Sequence, residues 1–278
     1  MKALLQTSLT AFTALSLSIT VPLVGTGCKT PEEAVLDQRK GIFVAKGRKA
    51  KDGSGPAAAG PGWNPNQSIP RGGVGSKTSY SSVSVNEPYI AMTFDDGPHP
   101  TNTPRLLDIL KQRNVKATFY VVGDNARRYP HILRRMIAEG HEIGNHTTSH
   151  GYLTKMSHDQ VRRDLSVAHQ AIVSATGVPP RTLRPPYGAT NTGLKNFIKS
   201  EFGYPSIMWS VDPQDWKRPG VSVVTSRLVS GARPGGILLA HDIHPPTIDA
   251  MPATLDQLIA KGYRFVTVTQ LIALEGRG

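Results

Sequence analysis

Disulfides are excluded at the outset: the 278-residue chain has one cysteine, Cys28, and nothing within the molecule to pair it with. Long apolar runs are equally scarce. Ala3 to Val24 is the one extended stretch, and its many Ser and Thr residues argue against a membrane span. No Gly-Lys-Ser/Thr ending follows any of the glycines, which excludes a phosphate-cradling loop. Carboxylates are in short supply, with 20 Asp and Glu against 32 Lys and Arg, a formal charge of +12. Such an excess attracts nucleic acid, anionic lipid or an acidic wall polymer without choosing among them, and a generally basic soluble protein fits as well. No internal repeat is evident. One globular domain of about 200 residues with a tail is the natural organisation, large enough to bury a core without staples.

Residues 1–28 read as an export signal. Lys2 supplies the positive start, the apolar run follows, and Gly25, Thr26 and Gly27 are the small residues a signal peptidase needs. Cys28, placed directly after them, resembles a bacterial lipoprotein signal, although Gly25 stands where that pattern prefers Leu. A lipid on Cys28 that tethers the chain to a membrane and simple cleavage with release are both open. The expected location is the periplasm, the cell envelope or the exterior. From Lys29 to about residue 86, Gly, Pro, Ser and Ala dominate and apolar periodicity disappears. Nine Lys or Arg face four Asp or Glu there, as expected of a flexible basic linker.

From Glu87 the pattern changes, and residues 87–278 read as the catalytic domain. Short apolar runs at Tyr89–Phe94, Ala117–Val122, His141–Gly144, Pro205–Ser210, Gly236–Ala240 and Tyr263–Val268 predict buried strands. Amphipathic stretches at Thr103–Gln112, Tyr129–Glu139 and Ser157–Thr176 predict helices, the last two stopped by Gly140 and Gly177. Strand and helix in alternation imply parallel strands and an α/β barrel or layered fold.

Almost every predicted strand ends in a polar group, and parallel α/β folds meet their ligands at those ends. Asp95-Asp96-Gly97-Pro98 follows the first strand; Asn145-His146 follows the third, with His150 four residues beyond. Asp212 and Asp215-Trp216 follow a later strand, His241-Asp242 another, and Arg184-Pro185-Pro186-Tyr187-Gly188 a short extended piece. Taken alone, Asp95-Asp96-Gly97-Pro98 fits a solvated turn, but the buried approach through Tyr89-Ile90-Ala91-Met92 does not. Two histidines at i, i+4 can share a metal, a spacing that nine histidines also produce by chance. Asp96 completes a two-His, one-carboxylate set that leaves positions open for water and substrate. Zn2+ is the default occupant, with Co2+, Ni2+, Mn2+ or Fe2+ as alternatives.

Five segments in this order resemble the polysaccharide deacetylase family, the NodB-type enzymes of carbohydrate esterase family 4. They are Thr93 to Pro98, His146 to His150, Arg184 to Tyr187, Asp212 to Trp216 and Leu239 to Asp242. The resemblance covers roughly residues 88–274 and implies a distorted, incomplete (β/α) barrel. It further implies that Asp96, His146 and His150 hold the metal and that Asp95 is the general base. The backbone N–H of Tyr187 would steady the oxyanion and His241 would protonate the departing amine. Arg184 would orient Asp95, and Asp215 would orient His241. Trp216 and Leu239 resemble the pocket for the acetyl methyl, with Tyr187 beside the substrate. The implied activity is N-deacetylation of a polysaccharide, foremost peptidoglycan, by a monomer with no nucleic-acid partner.

Chitin oligosaccharides, exopolysaccharides and acetylated xylan remain alternative substrates, because motifs do not choose among them. A non-catalytic glycan-binding protein would be expected to have lost the base or a ligand, yet all are present. A lipid-tethered structural protein leaves the five clusters as coincidence. His99, His131, His158, His169 and His244 read as surface, helix-face or rim residues, and Asp212 and Asp242 as turn caps or orienting groups.

Overall fold

The computed structural model describes residues 74–276. The export signal, Cys28 and the linker as far as residue 73 lie outside the described residues.

The central strand, β2 (Tyr89–Asp95), is preceded by the short β1 (Ser79–Tyr80). Its run Ile90 to Asp95 is buried on both faces, as a near-continuous apolar strand requires in a parallel sheet. On its two sides lie β3 (Thr118–Val121) and β6 (Ile237–His241); β4 (Glu142–Asn145) adds beyond β3, giving the order β4-β3-β2-β6, all parallel. The register sets Asp95 beside both Tyr120 and His241, and Asn145 beside Val121. The polar strand ends therefore share one edge. β1 pairs with β5 (Ser206–Ile207), and β7 (Arg264–Phe265) pairs with the start of β2. Single bridges from Asn145 to Leu183, Leu183 to Ser206 and Val211 to Leu238 lead from the β4 edge towards β6.

Helices cover the sheet, beginning with α1 (Asn102–Gln112), α2 (Gly123–Arg128) and α3 (Pro130–Ala138). The longest, α4 (His158–Thr176), starts at a capping box between Ser157 and Gln160 and stops at left-handed Gly177. The alternation of β2 sorts its side chains. Ile90, Met92 and Phe94 join Leu106, Leu107 and Leu110 of α1 in the main core, while Ala91 faces a second core with Tyr80, Ile207 and Ile237. Thr93 and Asp95 share the Ala91 face, and that face carries the chemistry.

Four helices escaped the periodicity analysis in the second half: α5 (Thr192–Phe202), α6 (Val221–Gly231), α7 (Pro245–Ala260) and α8 (Val268–Ala273). Valine, serine and threonine dominate α6, and β-branched residues are weak helix formers that packing overrides. Pro252 lies inside α7, an ordinary breaker signal. The expected strand Tyr263–Val268 shortens to Arg264–Phe265 because Thr267 and Gln270 form a capping box that starts α8. The strand expected over Pro205–Ser210 shrinks to Ser206–Ile207.

The linker boundary at residue 86 is also corrected. Val74, Tyr80 and Val83 are buried in the second core, so the folded unit includes residues the composition assigned to the spacer. Tyr80→Ala should cost about 3 kcal/mol of stability, read from the urea midpoint. A chain beginning at residue 87 should melt well below one beginning at residue 74; equal melting would mean that this segment contributes nothing.

Candidate active site

The edge where the strands end gathers the residues the motifs singled out. Asp96, directly after β2, takes a left-handed backbone with φ 75°. Asp96 Oδ1 lies 3.3 Å from His146 Nε2 and 3.1 Å from His150 Nε2. All three donor atoms fall within 4.8 Å of one another, the one such cluster of metal-ligating groups among the described residues. His146 Nδ1 is 2.7 Å from the carbonyl oxygen of Arg184. That contact makes Nδ1 the protonated nitrogen and leaves a lone pair on Nε2, the arrangement typical of a metal-ligating imidazole. Asp96 Oδ1 is buried without a well-directed hydrogen bond. Burial alone would raise the Asp96 pKa, yet His146 and His150 outweigh it and hold the carboxyl below the usual range. An ionised oxygen without a partner between two imidazole nitrogens fits a divalent cation.

The loop bearing the two histidines is pinned from behind. Asn145 Oδ1 accepts from Thr147 N at 2.8 Å, and Asn145 Nδ2 donates to Leu165 O on α4 at 3.0 Å. Asp164 accepts from Thr148 N at 3.0 Å, and its carbonyl accepts from Thr148 Oγ1 at 2.7 Å. Sequence reasoning missed Asp164. A motif search stops at the ligands, whereas Asp164 reaches the loop from a helix that begins seven residues after it ends.

Arg184, fully buried, donates from Nη1 to Asp95 Oδ1 and to Thr93 Oγ1, both at 2.7 Å. It also donates to the carbonyls of Ile207 and Met208, each at 3.1 Å. Its guanidinium lies 4.3 Å from the ring centroid of Tyr120. That ring fits because its strand partner is Gly144: a Cβ there would stand 2.3 Å from the tyrosine ring. Asp95 Oδ2 faces the metal-ligating groups, 3.8 Å from His146 Nε2.

Across β2, His241 Nδ1 lies 2.8 Å from Asp215 Oδ1, while Asp215 Oδ2 accepts from His241 N and Thr247 Oγ1 at the same distance. Burial pulls the His241 pKa down, but Asp215, aided by the charges of Asp95 and Asp96, overcomes it and raises the pKa to about 9. Asp242, also fully buried, sits where Gly97 leaves no room for a Cβ, which would meet its Oδ2 at 2.3 Å. Burial pushes its pKa up to about 7 although Thr103 donates to it.

Tyr187, with φ 60°, is 57% exposed, and its ring lies edge-on to His150 at 4.5 Å. Leu239 is buried on the His241 side of β6, opposite Thr93. Trp216 is half exposed, with the Lys217 ammonium 4.9 Å from its ring centroid. Asp212 caps a turn by accepting from Gln214 N at 2.7 Å. His99 Nδ1 accepts from Thr101 N and Asn102 N at the start of α1, a capping role. No helix among the described residues is long and apolar enough to cross a membrane.

Equilibrium dialysis followed by metal analysis should find one divalent ion per wild-type chain and none on His150→Ala. At a hundredfold excess over Kd, the ion should add about 2.7 kcal/mol of stability to the wild type alone, visible as a rise in Tm that chelation reverses. Asp164→Ala should weaken metal affinity about tenfold; unchanged affinity would remove it from the site.

Known proteins resemble this chain in sequence and fold. The family profile "Polysaccharide deacetylase" matches residues 82–206. A peptidoglycan-N-acetylglucosamine deacetylase of Listeria monocytogenes is 43% identical over 182 residues, 66% of this chain; the chain spans only 38% of that relative's length. A chitooligosaccharide deacetylase of a Bradyrhizobium species is 42% identical over 172 residues, 61% of this chain and 77% of its own. The solved structure of a peptidoglycan deacetylase from Bacillus subtilis matches at 38% identity with a TM-score of 0.64, covering 69% of this chain and 93% of its own. With a relative this similar matched over most of its length, and with every motif that the resemblance rested on gathered at one edge of the sheet, the chain belongs to the polysaccharide deacetylase family.

Proposed function

We propose that this protein hydrolyses the N-acetyl group from N-acetylglucosamine residues of peptidoglycan. One observation carries the reading: Asp95 has one carboxylate oxygen tied to Arg184 and the other turned towards the Asp96, His146 and His150 cluster. A carboxylate so held can accept a proton only from something bound at that cluster. The fold reads as an incomplete (β/α) barrel with this site at the carboxyl ends of its strands. The two bacterial deacetylases named above, together with the solved Bacillus structure, support the substrate class.

A divalent cation held by Asp96, His146 and His150, with Zn2+ as the proposed occupant and Co2+, Ni2+, Mn2+ or Fe2+ as alternatives, supplies a Lewis acid that acidifies water and polarises a carbonyl oxygen. Asp95 takes the proton from the attacking water as its oxygen bonds to the acetamido carbon. The backbone N–H of Tyr187 donates to the carbonyl oxygen while negative charge develops there, a contribution whose loss typically costs about a hundredfold or more in rate. His241, whose proton the Asp215 carboxylate holds, gives it to the nitrogen as the C–N bond breaks, since an amide anion is a poor leaving group. The products are acetate and the free amine of the sugar. Leu239 and Trp216 would flank the acetyl methyl. Export through residues 1–28, with or without a lipid on Cys28, would bring the enzyme to its substrate in the cell envelope, where its basic charge favours an anionic wall.

Acetate release from peptidoglycan and from chitin oligomers, measured side by side on metal-loaded protein, tests the activity and ranks the substrates; no acetate from either refutes it. Asp95→Asn should abolish turnover while leaving metal content near that of the wild type, and retained activity would remove Asp95 as the base.

The pH profile carries a second expectation. Asp215 raises the His241 pKa, so kcat/KM should fall on the alkaline side where His241 loses its proton, at a pH below 9 because a bound dication opposes that rise. Asp215→Asn removes the charge that raises it and should move that limb down by about 1–3 pH units. A limb that stays in place would assign it to another group.

A further inference from the structure

Beside the metal-ligating groups lies an aromatic ledge that the proposed reaction does not use. Tyr152 and Tyr187 stack with centroids 4.1 Å apart and planes 14° from parallel, although they are 40% and 57% exposed. The inner ring abuts His150. At the outer end, the Lys155 ammonium stands 4.5 Å from the centroid of Tyr152. The spacing follows from the backbone. Leu153–Lys155 forms a 3-10 turn in which Lys155 N donates to Tyr152 O at 3.0 Å, and such a turn superposes residues three apart. Leu153, buried in its own core cluster, anchors the turn. Lys155 is exposed and has no carboxylate partner among the described residues.

We infer that Tyr152 and Lys155 form a saccharide subsite that binds a carboxylate-bearing sugar neighbouring the one being deacetylated. The exposed edges of the two stacked rings, continuous with His150, offer an apolar strip against which a sugar ring can pack. A cation at the far end, already desolvated on one side by the ring beneath it, fixes the charge of what binds there. A glycan of neutral N-acetylglucosamine would meet the rings but leave the ammonium unpaired. A strand in which every second sugar carries a carboxylate would satisfy both. The inference rests on the proposed glycan deacetylation and narrows its substrate to an acidic polymer.

The test compares acetate release from peptide-free peptidoglycan strands, which bear a carboxylate on alternate sugars, with that from neutral N-acetylglucosamine oligomers. Lys155→Gln should lower the ratio of kcat/KM on the acidic strand to that on the neutral one about fivefold, through KM, and added salt should erode the wild-type ratio. Tyr152→Ala should raise KM on both glycans about fivefold, and Tyr152→Phe should restore it. A ratio within twofold of wild type in Lys155→Gln, or a Tyr152→Ala effect on kcat alone, would overturn the subsite. If the wild type releases acetate from neither glycan, the proposed reaction fails and calorimetric binding of the acidic strand decides the ledge. Weaker binding by Lys155→Gln then supports it, and equal binding, or none by the wild type, overturns it.

Discussion

A guanidinium buried among the strands organises this molecule. Arg184 has no exposed surface and meets Asp95 as its ionic partner. Taking two charges out of water costs several kcal/mol each, and only complete pairing makes the arrangement tolerable. Arg184 achieves this by spending its donors on a carboxylate, a threonine hydroxyl and two carbonyls from the β5 segment, with a tyrosine ring beneath. Those partners come from three separate stretches of chain, so the pair cannot form until the sheet does. Its own carbonyl then sets the protonation of His146. A single residue thus couples the interior of the fold to both the proposed base and a metal ligand.

The site is also where the backbone is least relaxed. Asp96, Thr147, His150 and Tyr187 all lie at positive φ, a conformation that costs a residue with a side chain about 1–3 kcal/mol. Three of them have a named anchor: Asn125 donates to the carbonyl of Asp96, Asn145 accepts from Thr147 N, and the Tyr187 ring packs on Tyr152. The donor atoms of Asp96, His146 and His150 crowd within 4.8 Å of one another.

Two charge pairs, Arg184 with Asp95 and Asp215 with His241, border the same cluster. Asp95 faces a permanent cation, while His241 faces a buried anion that keeps it protonated to about 9. A reaction that must remove a proton from one atom and deliver one to another needs this separation. A dication between them would offset part of the negative charge acting on His241 and bring its pKa back towards neutrality.

How much of this was legible beforehand depended on the range of the interaction. Apolar runs ending in Asp95-Asp96, Asn145-His146 and His241-Asp242 marked the strands and the edge where chemistry would gather, because a buried parallel strand must be apolar and the polar groups that end it must find partners. Motif spacing likewise picked out Asp96, His146 and His150, which the structure brings within 4.8 Å of one another. Local patterning failed where packing overrode propensity, as in valine-rich α6 and proline-containing α7, and where a few apolar residues, Val74, Tyr80 and Val83, sat within a stretch of linker composition. The stack of Tyr152 on Tyr187 and the grip of Asp164 on Thr148 join residues 35 and 16 positions apart, which no periodicity encodes. Residue types and their order sufficed to pick out the candidate site, since that depends on which groups are present. Which groups touch, and with what strain and charge, was decided only when the sheet brought distant segments to one edge.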